Sequence, residues 1–221
     1  MSAGEPRKPW IVGVSGASGT PYAAAAIRGL LDAGAQVDLI ISRAARLTLL
    51  DETGISFRDA HWRADLAGWL GWAHTDRRLG ALRYWTAGDL AAGPSSGSYP
   101  ARGMLVIPAS TASVAGISLG LSKDLLQRAA DVNLKERRPL VVVVRETPLT
   151  SGTLEQLWTL SRAGAVVLPA SPGFYGGARE VQQLVDFVAG KALDVLGVDH
   201  SLLRRWHGEL GAARADAAKE A

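Results

Sequence analysis

The chain alternates between short apolar runs and longer segments with helical periodicity. The clearest apolar run is Leu-Val-Val-Val-Val at residues 140–144, five branched residues in a row with no polar residue between them. Such a run is typical of a strand covered on both faces, as in the parallel sheet of an α/β protein. Similar runs predict four further strands, at residues 10–14, 36–41, 104–107 and 166–168.

Segments with helical character fill most of the spaces between these strands. Pro21 opens an Ala-rich segment at a first-turn position, where its missing N–H costs nothing, and Gly34 closes that segment. The predicted helices cover residues 21–33, 43–52, 122–138, 151–163 and 179–196. Strands that alternate with helices predict a three-layer α/β fold with a mostly parallel sheet.

Two stretches do not fit this alternation, a Trp-rich part at residues 61–85 and a Gly-Pro-Ser loop at residues 93–100. Loops of this size in compact domains are often functional. Neither stretch reads as a linker, so we predict one domain over residues 1–207. The tail at residues 208–221, rich in Ala with mixed charges, is predicted to be a frayed helix.

Composition narrows the class of protein. With 221 residues, 48% of them hydrophobic, the chain can bury a sizeable core. Cysteine is absent, which removes disulfides, thiolate metal sites and thiol nucleophiles. The first nine residues lack the apolar region of a secretory signal, and no apolar stretch approaches the roughly 18 residues of a membrane span. We expect a soluble cytoplasmic protein without a membrane segment.

Charge favours a small phosphorylated ligand over nucleic acid. The net charge is only +3 and the basic residues are spread over many segments, so we expect no nucleic-acid partner. A few arginines around a phosphorylated small molecule would explain the same excess. The four histidines show no metal-ligand spacing, and we therefore expect no metal site.

A Gly-rich turn follows the first predicted strand, with the sequence Gly-Val-Ser-Gly-Ala-Ser-Gly-Thr at residues 13–20. Its backbone N–H groups and the start of the next helix are suited to bind an anion. A dinucleotide fingerprint would need glycine at position 15 and an acidic residue near Ser42, and a phosphate-binding P-loop would need a lysine before Thr20, so NAD and a P-loop are disfavoured. A tight strand-to-helix connection without a ligand remains an alternative.

Small hydroxyl residues follow three of the predicted strands: Ser18 in the Gly-rich turn, Ser42, and the group Ser110, Thr111 and Ser113. A flat polar ligand such as a flavin would lie across this edge of the sheet and be bonded along its rim. The alternative for each serine taken singly is a helix N-cap.

Charged and aromatic residues follow the later strands. Arg145 and Glu146 end the apolar run at 140–144, at the end of a strand where open α/β sheets bind ligands. The alternative is a surface ion pair. Tyr175 follows a Gly-containing loop, so its hydroxyl would reach a phosphate. Lys191 and Trp206 are further candidates. The alternatives are a solvated helix charge for Lys191 and a core residue for Trp206.

In their order along the chain, these pieces resemble the flavin prenyltransferase family (UbiX type), over residues 11–206. The motifs that carry the resemblance are Gly16-Ala17-Ser18-Gly19, Ser42 with Ala44-Ala45, Glu52-Thr53, Ser96-Gly97-Ser98, Pro108 with Ser110, Arg128-Ala-Ala-Asp-Val, Leu134-Lys-Glu-Arg-Arg-Pro-Leu140, Arg145-Glu-Thr-Pro-Leu149, Gly164-Ala-Val, Pro172-Gly-Phe-Tyr175 and Arg205-Trp206. So many ordered motifs do not agree by chance.

The resemblance implies a Rossmann-like flavoprotein fold and a metal-independent transferase. It implies that a dimethylallyl group passes from dimethylallyl phosphate to N5 and C6 of reduced FMN, which is both cofactor and substrate. The product, prenylated FMN, would serve a partner decarboxylase of the UbiD type. The resemblance further implies a large homo-oligomer, a dodecamer, with the site at subunit contacts.

The same resemblance assigns roles to individual residues. Those that would hold FMN are Gly16, Ala17, Ser18, Ser42, Ser110, Thr111, Ala112 and Ser113, with Arg128 at its polar edge. Those that would hold the prenyl phosphate and stabilise the leaving dianion are Lys135, Arg145, Tyr175 and Lys191. Glu146 would act as acid and base beside the phosphate, Glu52 would assist proton movement near the flavin, and Trp206 would offer a π-face to the allyl cation.

The chain departs from the family pattern at three positions. Ala109 stands where the family often has cysteine, Ser113 where threonine is usual, and Lys191 where arginine is expected. Lysine keeps the charge but loses the bidentate geometry of arginine, so a weaker grip on phosphate is expected.

Two other functions compete with this interpretation. An FMN-dependent decarboxylase of cysteine-ended substrates would share the Pro-Ala-Ser turn at residues 108–110, and it relies on a histidine base after the second strand. Here His61 and His74 lie in the Trp-rich stretch, whereas the residues from Lys135 to Trp206 fit the prenyltransferase. A flavin carrier without catalysis is disfavoured because the candidate catalytic side chains are intact: Glu52, Lys135, Arg145 and Glu146.

Overall fold

The middle layer of the protein is a sheet of six strands in which every neighbouring pair is parallel. A computed structural model describes residues 8–175 and 177–205 of the chain. The strands are β1 (Trp10–Val14), β2 (Val37–Ile41), β3 (Leu82–Thr86), β4 (Gly103–Ala109), β5 (Leu140–Val144) and β6 (Val166–Pro169). Their order in the sheet is β3-β2-β1-β4-β5-β6, the order of a doubly wound Rossmann-like fold.

Helices cover both faces of this sheet. They are α1 (Thr20–Asp32), α2 (Arg43–Thr53), α3 (Trp62–Leu70), α4 (Thr111–Ser118), α5 (Leu125–Lys135), α6 (Ser151–Arg162) and α7 (Val181–Val195). Val141 and Val143 of β5 belong to the core shared with α1, α3 and α7, whereas Leu140 and Val142 belong to the core shared with α4, α5 and α6. The prediction of a strand buried on both faces, in a three-layer α/β fold, is therefore confirmed.

The strand order reverses between β1 and β4, and one buried serine joins the ends of these two strands. Ser15 Oγ donates to the carbonyl oxygen of Pro108 at 2.9 Å and accepts the N–H of Ser110 at 2.7 Å. The backbone N–H of Ser15 also donates to Pro108 at 3.2 Å. Ser15 is fully buried, so its hydroxyl holds the two strand ends together instead of facing a ligand.

The prediction that residues 61–85 are irregular was wrong. They contain a helix, α3, and the edge strand β3, which pairs with β2. Strand β3 has the sequence Leu-Arg-Tyr-Trp-Thr, and only Leu82 is buried, so it lacks the apolar run that marks an inner strand. The segment packs through its aromatic rings, including a tilted contact between Trp62 and Tyr84 at 5.9 Å.

Two further predictions of secondary structure need correction. The helix predicted over residues 122–138 is α5, which is shorter and ends at Lys135. It begins after Asp124, whose carboxylate accepts the N–H of Gln127 at 2.9 Å and so caps the helix. Small residues 111–118, for which no helix was predicted, form α4. Residues 93–100 form a loop as predicted, with one short 3-10 turn at Gly93–Ser95. The predicted tail, residues 208–221, lies outside the described residues.

Within residues 8–175 and 177–205, no helix is both long enough and apolar enough to span a membrane.

Candidate active site at the carboxyl edge of the sheet

The loops that follow β1, β2, β4 and β5 meet at one edge of the sheet, which we call the carboxyl edge. Two helices start here on serine caps. Ser42 Oγ accepts the N–H of Ala45 at 3.1 Å at the start of α2, and Ser110 Oγ accepts the N–H of Ser113 at 3.3 Å at the start of α4. The N-cap alternative is thus confirmed for both serines. The two caps also place two helix N-termini, with their positive dipole ends, at the same edge.

Gly16 brings the Gly-rich turn close to the start of α2. A Cβ atom at Gly16 would overlap the Cβ of Ala44 and would lie 3.0 Å from its carbonyl carbon. Ala17 is buried and Ser18 is exposed. At this close approach, backbone and small side chains line the place where the turn after β1 meets the start of α2.

The anion at the start of α1 is the protein's own Glu52, which comes from the last turn of α2. Its carboxylate accepts the N–H groups of Gly19 and Thr20, both at 2.8 Å, and the Thr20 hydroxyl at 2.6 Å. The sequence predicted that these N–H groups would bind an anionic ligand. That prediction needs correction for Gly19 and Thr20, because a carboxylate that caps a helix N-terminus already satisfies them.

Hydrogen bonding keeps Glu52 ionised. Partial burial acts to raise the pKa of its carboxyl, but donors from Thr20, Ser18 and Gly19 outweigh burial and leave the pKa below its ordinary value of 4.5. Glu52 therefore carries a fixed negative charge at neutral pH. It orients the turn that follows β1, and it is a poor proton donor in that state.

Arg145 and Glu146 follow β5 at the carboxyl edge and point to different partners. Arg145 Nε donates to the carbonyl oxygen of Ser18 at 2.9 Å, so its guanidinium lies against the Gly-rich turn. Glu146 is exposed, and its Oε1 accepts the N–H of Thr147 at 3.0 Å. Arg145 places a positive charge, and Glu146 an exposed carboxylate, next to the turn. Their separate partners, Ser18 and Thr147, argue against the alternative in which the two residues form only a surface ion pair.

Arg128 lies in α5 and is held by protein partners. Its Nε donates to the carbonyl oxygen of Ser95 at 3.1 Å, and its Nη1 donates to Asp131 at 3.0 Å. These contacts fix the Gly93–Ser95 turn against α5. Contact of Arg128 with the polar edge of a flavin stays a prediction.

Lys135 lies at the other end of the sheet from Arg145. It is the last residue of α5, which comes before the amino end of β5, and its Nζ pairs with Glu136. Five steps of about 3.3 Å separate Leu140 from Arg145, which makes roughly 16 Å along β5. One chain therefore does not bring Lys135 and Arg145 to the same phosphate.

Lys191 is also far from Arg145. It lies in the last turns of α7 and pairs with Asp194 at 3.4 Å. Two residues further on, Leu193 packs against Gly29, near the end of α1 that is distant from the carboxyl edge. The predicted phosphate-binding set is thus divided between the two ends of the sheet.

Tyr175 follows β6 and packs edge-to-face on Phe187, with the ring centroids 5.7 Å apart. Its side chain is exposed, at 59%. The role of Tyr175 at the phosphate stays a prediction. Trp206 lies outside the described residues.

The carboxyl edge of this chain fits FMN by its chemistry. A flavin needs a flat surface of small residues, donors for its polar rim, and positive charge for its phosphate. The edge supplies the Gly16–Ala44 contact, hydroxyls near two helix N-termini, and the Arg145 guanidinium. The residues that would hold FMN are Gly16, Ala17, Ser18, Ser42, Ser110, Thr111, Ala112 and Ser113.

Sequence reasoning missed two residues with clear structural roles, Thr20 and Asp38. Thr20 is buried and bonds Glu52 twice, and nothing in its sequence neighbourhood marks that contact. Asp38 is a single charged residue inside an otherwise apolar strand, which is a signal that could have been found. In the part of the chain that the structure describes, no three acidic or histidine side chains are grouped to hold a metal ion.

Strand order and site together define the class: this is a Rossmann-like flavoprotein fold with a candidate FMN site where the strand order reverses. The family model described as Flavoprotein matches residues 2–193. A flavin prenyltransferase UbiX from Streptomyces coelicolor is 69% identical over 212 residues, which cover 93% of this chain and 98% of that protein. The enzyme of the same name from Synechocystis is 43% identical over 201 residues, or 91% and 97% of the two chains. The chain therefore belongs to the UbiX family of flavin prenyltransferases.

Solved structures agree with this assignment. The crystal structure of AnUbiX (PadA1) in complex with FMN and dimethylallyl pyrophosphate superposes with a TM-score of 0.79 at 33% identity, covering 92% of this chain and all of that one. A dodecameric FMN-dependent Ubix-like decarboxylase from Escherichia coli O157:H7 gives 0.77 at 36% identity, covering 91% and 100%. The FMN-dependent cysteine decarboxylase TvaF gives 0.53 at only 14% identity, covering 87% and 99%, which shows a shared fold alone.

Proposed function

We propose that the protein joins a dimethylallyl group from dimethylallyl phosphate to N5 and C6 of reduced FMN. The bond between the allyl carbon and the phosphate oxygen breaks as a C–N bond forms at N5, which loses its proton. The allyl double bond then takes up a proton at its middle carbon while its other end forms a C–C bond to C6, which loses its own proton. Besides prenylated FMN, the net products are inorganic phosphate and one proton. Reduced FMN supplies the two nucleophilic ring positions. High identity to the Streptomyces coelicolor enzyme supports the reaction class, and the ligands of AnUbiX (PadA1) support the pair of substrates.

The hydrogen bond from Arg145 to Ser18 is the structural observation that supports this function best. It sets a guanidinium beside the turn that would hold FMN, which is where a prenyl phosphate must lie if its allyl carbon is to reach the flavin. Guanidinium donors stabilise the charge that grows on a leaving phosphate. We assign Arg145 to the phosphate of the donor.

The two glutamates would have different tasks. Glu146 is exposed next to Arg145, so it is placed to exchange a proton with the leaving phosphate. Glu52 holds the start of α1 and remains ionised, so it would act as a fixed negative charge that assists proton movement near the flavin. Neither task requires the carboxyl groups to touch each other.

We further propose that each site is built by more than one copy of the chain. Lys135 and Lys191 would reach the donor phosphate of a neighbouring copy, since both lie far from Arg145 of their own chain. Exposed apolar side chains offer surfaces for assembly: Trp158 at 60% and Leu119 at 66% exposure. The dodecameric Escherichia coli relative supports a large homo-oligomer, and we propose a dodecamer.

We propose that residues 1–207 act as one domain and that the protein works in the cytoplasm. Prenylated FMN, as product, would be handed to a UbiD-type decarboxylase. Trp206 would supply the π-face for the allyl cation.

The test is anaerobic incubation of the purified protein with reduced FMN and either dimethylallyl monophosphate or dimethylallyl diphosphate. The flavin mass and the released phosphate are measured. A mass gain of one five-carbon prenyl unit, together with phosphate or diphosphate, supports the transferase and identifies the donor. Flavin of unchanged mass with both donors would contradict the proposal.

A further inference from the structure

Asp38 is a buried acidic residue that the proposed reaction does not use. It is the second residue of β2 and is 0% exposed, between the apolar residues Val37 and Leu39. Alternation along the strand turns it to the same face as Ile40, toward the core shared with α5. A carboxyl group is rarely kept in such a place unless its oxygens accept hydrogen bonds.

The partners of Asp38 come from the edge strand and from the loop after it. Its Oδ2 accepts the Tyr99 hydroxyl at 2.6 Å and the indole N–H of Trp85 at 2.9 Å. The two rings meet edge-on, with centroids 6.4 Å apart. A Cβ atom at Gly93 would lie 2.5 Å from the Tyr99 ring, so the start of the loop is packed against its end. Asp38 thus fixes the loop at residues 93–99 on the sheet.

The middle of this loop packs against Lys135. A Cβ atom at Gly97 would lie 2.7 Å from Lys135 Nζ and would overlap the carboxylate of Glu136. Arg138 Nη2 donates to the carbonyl oxygen of Gly97 at 2.5 Å, which holds this part of the loop in place. The position of Gly97 therefore limits where the Lys135 ammonium can go.

We propose that Asp38 and Tyr99 are positioning residues for Lys135. The partly buried hydrogen bond between them holds the 93–99 loop, and Gly97 of that loop forms the wall that orients Lys135 and its partner Glu136. The inference rests on the proposed function, in which Lys135 binds the phosphate of the prenyl donor in a neighbouring copy. Asp38 itself contacts neither substrate.

A matched pair of variants separates positioning from general stability. Tyr99→Phe removes the hydroxyl bonded to Asp38. Tyr84→Phe removes a hydroxyl that donates to Asp59 at the same distance, 2.6 Å, and also accepts from Arg46, away from Lys135. The typical net contribution of one hydrogen bond corresponds to roughly a twofold to tenfold change in an equilibrium constant. We expect about a threefold to tenfold higher KM for the donor in Tyr99→Phe, with kcat and FMN affinity unchanged, and no change in Tyr84→Phe.

A second measurement does not depend on turnover. The rate at which an amine-reactive ester modifies Lys135 is read by peptide mass spectrometry in the purified protein. It should rise about threefold in Tyr99→Phe and stay constant in Tyr84→Phe, because a looser loop exposes the ammonium. Asp38→Asn keeps one oxygen acceptor and should give an intermediate rate.

The outcomes separate the two proposals. A wild-type protein that makes no prenylated flavin removes the proposed function, whereas the labelling rates still decide whether the loop orients Lys135. Equal labelling rates in the two tyrosine variants overturn the inference, as does an active enzyme in which Tyr99→Phe leaves the donor KM unchanged. A fall in thermal stability alone, without either change, also overturns it.

Discussion

Arg145 is tied to Ser18 by a hydrogen bond of 2.9 Å from Nε to the carbonyl oxygen, across the reversal of strand order. The contact joins the end of β5 to the turn after β1, although the two residues are 127 positions apart in the chain. It fixes the plane of the guanidinium while the turn itself faces the candidate flavin site. The orientation of this arginine is thus set before any ligand binds.

Replacement of Arg145 by lysine should impair donor binding although the positive charge is kept. Lysine keeps the positive charge but has neither the Nε donor for Ser18 nor a bidentate fork for phosphate. We expect the KM for the prenyl donor to rise about tenfold. Steady-state kinetics at saturating FMN measure it. Arg63→Lys, at an exposed arginine on α3 that packs over Trp62, is the control, and an equal change in both variants would contradict the assignment.

Glu146→Gln should abolish turnover while FMN remains bound. The amide cannot exchange a proton with the leaving phosphate, but it has nearly the same size and can still accept the N–H of Thr147. Product formation by mass and FMN affinity by fluorescence quenching are the two measurements. Glu155→Gln, an exposed position on α6, should keep full activity. Unchanged turnover in Glu146→Gln would remove this residue from the mechanism.

Glu52→Gln should lower the free energy of unfolding by about 1–2 kcal/mol at neutral pH. The carboxylate satisfies two N–H groups and one hydroxyl at the start of α1, and glutamine removes its charge. Asp51→Asn, at the exposed neighbouring position, serves as the control with little expected change. Urea unfolding of the three proteins gives the comparison.

The effect of Glu52 should also depend on pH. Because the pKa of Glu52 in the folded protein lies below 4.5, its charged form stabilises the fold. This contribution is complete above the pKa of the unfolded state and is lost as the pH falls through the lower pKa of the folded state. The difference between wild type and Glu52→Gln should therefore shrink on acidification from about pH 7 to about pH 3. A difference that grows toward acid would refute the role of the charge.

Gly97→Ala should disturb the wall beside Lys135. The added methyl group would lie 2.7 Å from Lys135 Nζ and must push the ammonium or the loop aside. We expect a higher donor KM, by about threefold to tenfold, with FMN binding intact. Gly80→Ala is the matched control, since no atom lies within 4 Å of a Cβ added there. Identical kinetics of the two alanine variants would show that the wall is not needed.

The four inner strands and the edge strand β6 were predictable from the sequence, whereas the other edge strand, β3, was not. Strand β5 is buried on both faces, so it appears as an unbroken apolar run. Strand β3 is an edge strand of mixed polarity, so it lacks the unbroken apolar run that marks an inner strand. The helix α4 was missed for a related reason, because its small residues carry little periodic signal.

For the candidate site, the sequence predicted residue types better than positions. Residues that follow strands were predicted to gather at one edge, and Ser42, Ser110 and Arg145 do so. The location of Lys135 at the opposite end follows from the topology of the sheet, which the motif alone does not contain. The bond from Thr20 to Glu52 joins residues 32 positions apart, and no local pattern predicts a contact of this kind.

The separation of Lys135 and Arg145 gives a direct test of shared sites. Lys135→Ala and Arg145→Ala should each be nearly inactive as pure oligomers, because every site lacks one phosphate-binding side chain. When the two variants are unfolded together and refolded as a mixture, some sites will combine an intact Arg145 from one copy with an intact Lys135 from another. Random assembly in equal amounts would restore about a quarter of the wild-type sites. A mixture as inactive as its parents, although mass spectrometry of the intact assembly shows mixed oligomers, would place the donor site within a single chain.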